Sequence, residues 1–118
     1  MNSDELKKRT QQFALRVMAL SAALPHTPTG RVISYQLVKS GTSVGANYRA
    51  ACRGKSKADF ISKLGTVLEE ADESAFWLEL IIAGEILPAV RVQPLHEEAN
   101  ELTAIFASGL KSAKRNAE

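Results

Sequence analysis

The sequence predicts an all-α protein, folded as an antiparallel four-helix bundle with up-down-up-down topology. Apolar residues recur at helical spacing in four segments, and strict alternation, which indicates a strand, persists nowhere between turn signals. The links between the four segments are short, and short links force neighbouring helices to run antiparallel. One core of ordinary size accounts for a chain of 118 residues, so residues 1–118 are predicted to form a single domain.

The first two helices are predicted from apolar periodicity and capping residues. The first ends before the PHTPTG segment, and its apolar stripe consists of Leu6, Phe13, Val17, Leu20 and Leu24. The second begins at Thr27-Pro28, because a hydroxyl side chain caps a helix N-terminus and proline fits the first turn. It ends at Gly54. Its core-facing stripe consists of Ile33, Leu37, Ser40, Val44, Asn47 and Ala51.

The third helix is predicted to begin at Ser56, with Asp59 at the spacing of a capping box, and Gly84 is its predicted C-cap. Its core stripe consists of Phe60, Leu64, Val67, Ala71, Ala75, Leu78 and Ile82. Residues 85–93 show no clear period and are predicted to be a connector. The fourth helix is predicted to begin near Pro94, with a stripe of Leu95, Leu102, Phe106, Leu110 and Ala113.

The composition is that of a soluble globular protein, with 45% hydrophobic and 24% charged residues. The most apolar segment, residues 75–90, contains Glu79 and Glu85 and is too short to span a bilayer. The charged N-terminus does not match a secretory signal, and Cys52 has no second cysteine with which to form a disulfide. We therefore expect a cytoplasmic protein without a membrane partner.

Residues 54–56, Gly-Lys-Ser, match the end of a phosphate-binding P-loop. That loop requires G-x-x-x-x-G-K-[ST] after a strand, whereas here Arg49 occupies the position of the first glycine. We interpret the tripeptide as a turn between two helices.

Small residues before that turn predict close helix packing. Ser40, Ser43 and Asn47 recur at helical spacing, with Gly41 and Gly45 beside them. Glycine in a helix costs about 1 kcal/mol relative to alanine, so two glycines indicate a packing role. A buried Asn47 must find a hydrogen-bond partner, which we expect on the first or third helix.

Residues 36–81 resemble the family of four-helix-bundle proteins encoded in 23S ribosomal RNA intervening sequences. The family pattern S-x-x-S-x-x-x-N falls on Ser40, Ser43 and Asn47. The start of the next helix, Lys/Arg-Ser-x-x-x-Phe, falls on Lys55, Ser56 and Phe60. An acidic-then-aromatic segment falls on Glu69, Glu70, Asp72, Glu73, Trp77, Leu78 and Glu79. The chain departs from the family at Ala51, where many members have glutamate followed by glycine.

The resemblance implies a cytosolic bacterial protein that forms a four-helix bundle and assembles into a homopentameric ring. One branch of the family serves as an RNA-binding accessory to the reverse transcriptase of diversity-generating retroelements. For most members no activity is established.

No set of residues in the sequence converges on a catalytic or metal site. His26 and His96 lack a cysteine or second histidine at ligand spacing, and the second helix has no acid for a carboxylate-bridged di-metal site. Cys52 is interpreted as a small buried hydrophobic residue. The acidic cluster at residues 69–73 covers more than one helix face, which favours solvation or pairing over metal binding. We therefore predict a non-enzymatic protein without cofactor or metal.

Charge is distributed unevenly, although the net charge is only +2. Residues 31–63 contain seven basic residues and one acid, whereas residues 64–101 contain nine acids and one base. Tyr35, Lys39, Thr42, Ala46, Arg49 and Arg53 form a continuous stripe on the second helix, which Lys55 and Lys57 extend around the turn. Such a row can bind phosphates without reading sequence, and the aromatic residue can stack on an unpaired base.

Two hypotheses follow from this row. In the first, RNA or DNA binds to the basic stripe, which we define as Lys39, Arg49, Arg53, Lys55 and Lys57. In the second, these residues form ion pairs with Glu69, Glu70 and Glu73, in the same subunit or the next, and the protein is a structural or protein-interaction adaptor.

Residues 75–82 predict a subunit interface independently of the resemblance. A helix in a monomeric bundle is apolar on one broad stripe, but here Phe76, Trp77, Leu80 and Ile81 lie outside the predicted core stripe. Either the apolar connector at residues 86–90 or a second subunit would cover these side chains. Tryptophan is a residue type that anchors interfaces, so we favour the second subunit and expect Trp77 to anchor a homo-oligomer.

Overall fold

The computed structural model describes residues 1–117 and contains four α-helices, with no strand in that range. Helix α1 spans Ser3–Ser21, α2 spans Pro28–Cys52, α3 spans Lys57–Ala83 and α4 spans Ala89–Asn116. Each helix packs against two neighbours: α2 lies against α1 and α3, and α4 lies against α3 and α1. The elongated bundle measures 48 × 21 × 20 Å. The all-α, four-helix prediction is confirmed.

The predicted starts of α2 and α3 are confirmed by their capping hydrogen bonds. The Thr27 side chain accepts the Gly30 N–H at 3.1 Å, and Pro28 occupies the first turn of α2. At α3, the Ser56 hydroxyl accepts the Asp59 N–H at 3.0 Å. The Asp59 carboxylate in turn accepts the Lys55 N–H at 3.1 Å, one residue before the position a capping box requires.

The C-terminus of α3 lies at Gly84, as predicted, but the left-handed residue is its neighbour. Gly84 has φ −83° and Glu85 has φ 53°. The Ile86 N–H donates to the Ile81 carbonyl and the Glu85 N–H to the Ile82 carbonyl, which is a Schellman motif. The motif therefore places a glutamate in a conformation that favours glycine.

Helix α4 begins at Ala89, so the predicted connector at residues 85–93 is wrong over its second half, and Pro94 lies inside the helix. Proline is common in a first helical turn, which is why the sequence predicted a start near Pro94. Val92 is fully buried, whereas Ile86 and Leu87 pack against the core from the short link. Burial of Val92 against the core favours a helix that begins before Pro94 rather than at it.

The predicted core stripes are largely confirmed, with one correction on α3 and with additions on α2 and on α4, where Val92 and Ala99 are also buried. Ile81 is fully buried and Ile82 only partly, the reverse of the prediction. Ile81 lies two turns after Ser74, which faces α2, and so belongs to the same buried side of the helix. Tyr48, absent from the predicted stripe, is buried with its ring centroid 5.4 Å from that of Phe106.

The predicted close packing at the helical glycines is confirmed, and the neighbour is α1. A Cβ atom at Gly41 would lie 2.8 Å from Val17 Cγ1, closer than side chains normally approach. A Cβ atom at Gly45 would lie 3.2 Å from the Thr10 hydroxyl. These two glycines therefore set how near α2 lies to α1.

Candidate nucleic-acid interface

All five residues of the basic stripe are exposed on the surface of the bundle. Within residues 1–117, ion pairs closer than 4.0 Å involve only Arg9 and Lys63 as bases, so no carboxylate neutralises the stripe. Lys57 Nζ donates to the Asn116 carbonyl at 3.4 Å, at the end of α4. The stripe therefore presents its positive charge to solvent in the single subunit.

The hypothesis that the stripe pairs with acids of the same subunit finds little support in this geometry. Of the stripe residues, Lys39 acts on the Glu70 carboxylate and lowers its pKa. Partial burial and the neighbouring Glu73 carboxylate outweigh Lys39, and the pKa of Glu70 is raised overall. The adaptor hypothesis therefore requires that the basic stripe form ion pairs with acids of another subunit.

Arg49 also lines a groove between α1 and α2, which we call the α1–α2 groove. Its central part has a volume of about 210 Å³, and it is lined by Lys7, Thr10, Gln11, Ala14, Thr42, Gly45, Ala46 and Arg49. A hollow of about 290 Å³ follows toward the start of α1, where Lys8, Asp4 and Glu5 join Lys7 and Arg49. The groove thus brings two lysines and two carboxylates of α1 next to the basic surface of α2.

Sequence reasoning missed Lys7 and Lys8, and a sequence signal for Lys7 was present. Lys7 lies three residues before Thr10 and seven before Ala14, so these three residues share one side of α1. That side faces α2, because Thr10 packs at Gly45. Small residues such as Ala14, Gly45 and Ala46 line the groove, and Lys7 and Arg49 line it as well.

The opposite side of α1 carries an arginine with a structural role. Arg9 Nε and Nη2 donate to the two Glu98 carboxylate oxygens at 2.8 and 2.7 Å, and Nη2 lies 3.4 Å from a Glu101 oxygen. This bidentate pairing lowers the pKa of Glu98 and raises that of Arg9. The charge of Arg9 is therefore paired with α4 carboxylates within the subunit.

The serine and asparagine motif serves packing within the subunit. Ser40 is buried, and its hydroxyl accepts a hydrogen bond from the Ser74 hydroxyl at 3.0 Å, linking α2 to α3. Ser43 donates to the Lys39 carbonyl at 2.6 Å. Asn47 is only partly buried, and its amide donates to the Ser43 carbonyl at 2.8 Å. The expectation that Asn47 bonds to another helix is therefore wrong, because the carbonyl one turn earlier in α2 satisfies its amide.

The predicted interface residues separate into exposed and buried groups. Phe76 is 48% exposed and Leu80 36%, and Leu80 borders an apolar hollow of about 420 Å³ with Val32 of α2. The Trp77 ring is partly buried and meets Phe76 edge-on with centroids 5.2 Å apart. Ile81 is enclosed by the core of its own subunit, so its assignment to an exposed interface is corrected.

Cys52 is exposed, which corrects its interpretation as a buried residue. It lies one turn after Tyr48, whose pKa is raised to about 12 by burial and, secondarily, by the Cys52 thiol. Tyr48 is therefore neutral at physiological pH. No group of three or more His, Cys, Asp or Glu side chains within residues 1–117 is arranged to hold a metal ion.

Sequence and structure comparisons agree with this fold. A family model described as 23S rRNA-intervening sequence protein matches residues 3–108. The chain belongs to this family. No curated protein matches the chain significantly.

Among solved structures, the chain is similar to a crystal structure of a protein of unknown function from the S23 ribosomal protein family of Bacteroides thetaiotaomicron. The identity is 35% and the TM-score 0.85, over 94% of this chain and 99% of that one. Membership of the 23S rRNA-intervening sequence protein family thus covers all four helices, although the resemblance in sequence was carried by α2 and α3. None of the helices that the structure describes is long and apolar enough to cross a membrane.

Proposed function

We propose that this protein is a non-enzymatic, homo-oligomeric module that binds RNA or DNA through its basic stripe. The observation that carries the proposal is that, within residues 1–117, no carboxylate lies closer than 4.0 Å to the charged side-chain group of any of the five exposed stripe residues. Unpaired cations on one helix face are attracted to phosphates, and the release of condensed counterions drives such binding. Lys7 of α1 lines the α1–α2 groove together with Arg49 and adds a cation to this surface.

The proposal includes an up-down-up-down order of antiparallel helices. Supporting it, Gly41 of α2 lies against Val17 of α1, whereas Gly45 lies against Thr10, so the α1 numbers fall as the α2 numbers rise. The links between helices are also short, and short links favour antiparallel neighbours.

The proposal also includes assembly into a ring in the cytoplasm, with five subunits as the family resemblance implies. Phe76 and Leu80 of α3 and Val32 of α2 are large apolar side chains left exposed in the single subunit, which a second copy would cover. A ring would repeat the basic stripe around its circumference and raise the avidity for a polyanion. The retroelement branch of the family favours RNA over DNA as the ligand.

The test is a titration of fluorescein-labelled single- and double-stranded RNA and DNA with the full chain, at about 50 and 200 mM salt. Five phosphate contacts on a duplex predict a loss of affinity of roughly 500-fold between these two salt concentrations. The test variant is Arg49→Glu/Arg53→Glu. The matched control, Arg16→Glu/Arg91→Glu, makes the same change in charge at a hollow between α1 and α4. Light scattering follows the oligomer size of each sample.

We expect salt-sensitive binding that the test variant loses with its oligomer intact and that the control retains. Absence of binding to all four ligands overturns the proposal. If the test variant also dissociates into smaller species, the stripe serves assembly through acids of the neighbouring subunit. In that case the protein is the structural or protein-interaction adaptor that the exposed Phe76 and Leu80 also favour.

A further inference from the structure

A cavity of about 750 Å³ lies where the end of α1, the following link and the start of α2 meet. It is lined by Met18, Ser21, Ala22, Leu24, Pro25, His26, Gly30, Arg31, Ser34, Tyr35 and Val38. Sites that enclose small organic groups have volumes of about 300–1,000 Å³ and combine apolar walls with a few polar atoms. This cavity has both features.

The walls combine apolar surface with unused polar capacity. Met18, Leu24 and Val38 supply apolar side chains, and Met18 is half-exposed. The Ser21 hydroxyl oxygen is fully buried and has no hydrogen-bond partner within residues 1–117, although Ser21 lines the cavity. Neighbouring atoms cover this hydroxyl, so the polar groups that the cavity offers to a ligand belong to other lining residues, such as Ser34 and Tyr35.

Tyr35 connects this cavity to the basic stripe. Its ring lines the cavity and is 65% exposed, and Lys39 follows it by one helical turn on the same outer side of α2. On the other flank, Arg31 uses Nη1 to bond the His26 carbonyl at 3.0 Å, which fixes its guanidinium beside the cavity. Cations therefore lie on both sides of an exposed aromatic ring.

We propose that the ligand of this surface is a single strand of RNA or DNA, with one unpaired base seated in this cavity against Tyr35. The inference rests on the proposed function and names its ligand class. An aromatic ring stacks on a base of any identity, and flanking cations bind the adjoining phosphates. A duplex keeps its bases stacked on each other, so it can contact the basic stripe but cannot fill the cavity.

The experiment compares a single strand with a hairpin duplex, each of about 12 nucleotides per strand, within or near the site size of single-strand modules. The single strand is oligo-dT or oligo-rU with one 2-aminopurine base, whose fluorescence is quenched by stacking. The variants are Tyr35→Ala and Tyr35→Phe, with Val90→Ala as the control. Val90 is a highly exposed apolar residue of α4 that does not line the cavity.

We expect Tyr35→Ala to weaken single-strand affinity about 5- to 100-fold, to abolish quenching and to leave duplex affinity unchanged. Tyr35→Phe and Val90→Ala should behave like the original chain, because the first keeps the ring and the second lies elsewhere. Either sugar preference supports the inference, since the base and phosphate are common to RNA and DNA.

If Tyr35→Ala changes neither affinity nor quenching while salt-sensitive binding persists, the cavity does not hold a base and the proposed function stands alone. If no oligonucleotide binds the original chain, both the inference and the proposed function fail. Because the Tyr35 side chain is mostly exposed, the alanine variant is expected to fold, and a thermal unfolding curve checks this.

Discussion

The two sides of α1 place arginine in opposite settings. On the side facing α4, Arg9 donates two hydrogen bonds to Glu98 and approaches Glu101. On the side facing α2, Arg49 lies across the groove from Lys7, and no carboxylate of residues 1–117 comes within 4.0 Å of either base. An arginine thus links α1 to α4 through ion pairs on one side, whereas on the other side an arginine has no carboxylate partner within residues 1–117.

The difference shows that neighbouring carboxylates and burial, rather than residue type, decide whether an arginine is paired within the subunit or left exposed to solvent. The Arg9 and Glu98 side chains are 26% and 13% exposed, so their interaction is shielded from water and both need each other. Arg49 and Arg53 are exposed to solvent and have no such partner within residues 1–117. The surface with unused charge is therefore the one to which function is assigned.

The largest predicted effect on stability is at the paired side. Arg9→Met keeps most of the apolar stem but leaves Glu98 partly buried without its partner, and we expect a loss of about 1–3 kcal/mol in the free energy of unfolding. Arg49→Met is the matched change on the other side of α1. Urea denaturation of both variants compares their losses in the free energy of unfolding. Equal losses in the two variants would remove the distinction between the faces.

A second prediction concerns the glycines that bring α2 close to α1. Gly41→Ala places a methyl group against the buried Val17, and overpacking costs about 1–3 kcal/mol, of which the helix propensity of alanine offsets about 1. Gly65→Ala is the control, because no atom outside its own helix backbone lies within 4 Å of the new Cβ, and it should stabilise the protein by about 0.5–1 kcal/mol.

Thermal unfolding of the two alanine variants measures the difference between them. If Gly41→Ala stabilises the protein as much as Gly65→Ala, the contact of Gly41 with Val17 does not set the distance between α1 and α2.

The third prediction uses pH to isolate the paired side. The native pKa of Glu98 is lowered by Arg9, so ionised Glu98 stabilises the protein above its unfolded pKa, and that contribution disappears as pH falls through the native pKa. Glu98→Gln should therefore destabilise the protein by about 1 kcal/mol near pH 7, with a difference that shrinks below about pH 4.3. Urea unfolding across this pH range is the measurement.

Glu70→Gln is expected to change the free energy of unfolding in the opposite direction to Glu98→Gln, so it serves as the comparison for the same pH range. The native pKa of Glu70 is raised, mainly by burial, so its ionised form opposes folding at neutral pH. Its glutamine variant should gain stability near pH 7 and lose that advantage as pH falls toward the unfolded pKa of a glutamate. Parallel pH profiles for the two variants would contradict both assignments.

The smallest predicted effect is at the unpaired side. Arg49→Ala and Arg53→Ala each remove an exposed side chain with no carboxylate partner in the described chain, so each should change the free energy of unfolding by less than about 0.5 kcal/mol. A larger loss, measured at constant protein concentration, would indicate that these residues lie in a contact between subunits.

The sequence alone determined the four helices and the starts of α2 and α3. Periodicity and capping are local properties: Thr27 and Ser56 cap the N–H groups three residues later whatever else surrounds them. The exposure of the stripe residues within α2 was likewise predictable, because Lys39 and Arg49 lie opposite the apolar side of that helix.

Tertiary structure decided what local patterns could not. Ile81 and Ile82 both lie near the apolar side of α3, and only the position of α2 selects Ile81 for burial. Likewise, Pro94 predicts the start of a helix, but α4 begins five residues earlier, at Ala89, because Val92 is buried in the core. The α1–α2 groove and the cavity at Tyr35 exist only once residues distant in sequence come together. Packing is a sum over neighbours that the chain brings together only on folding, so no local pattern specifies it.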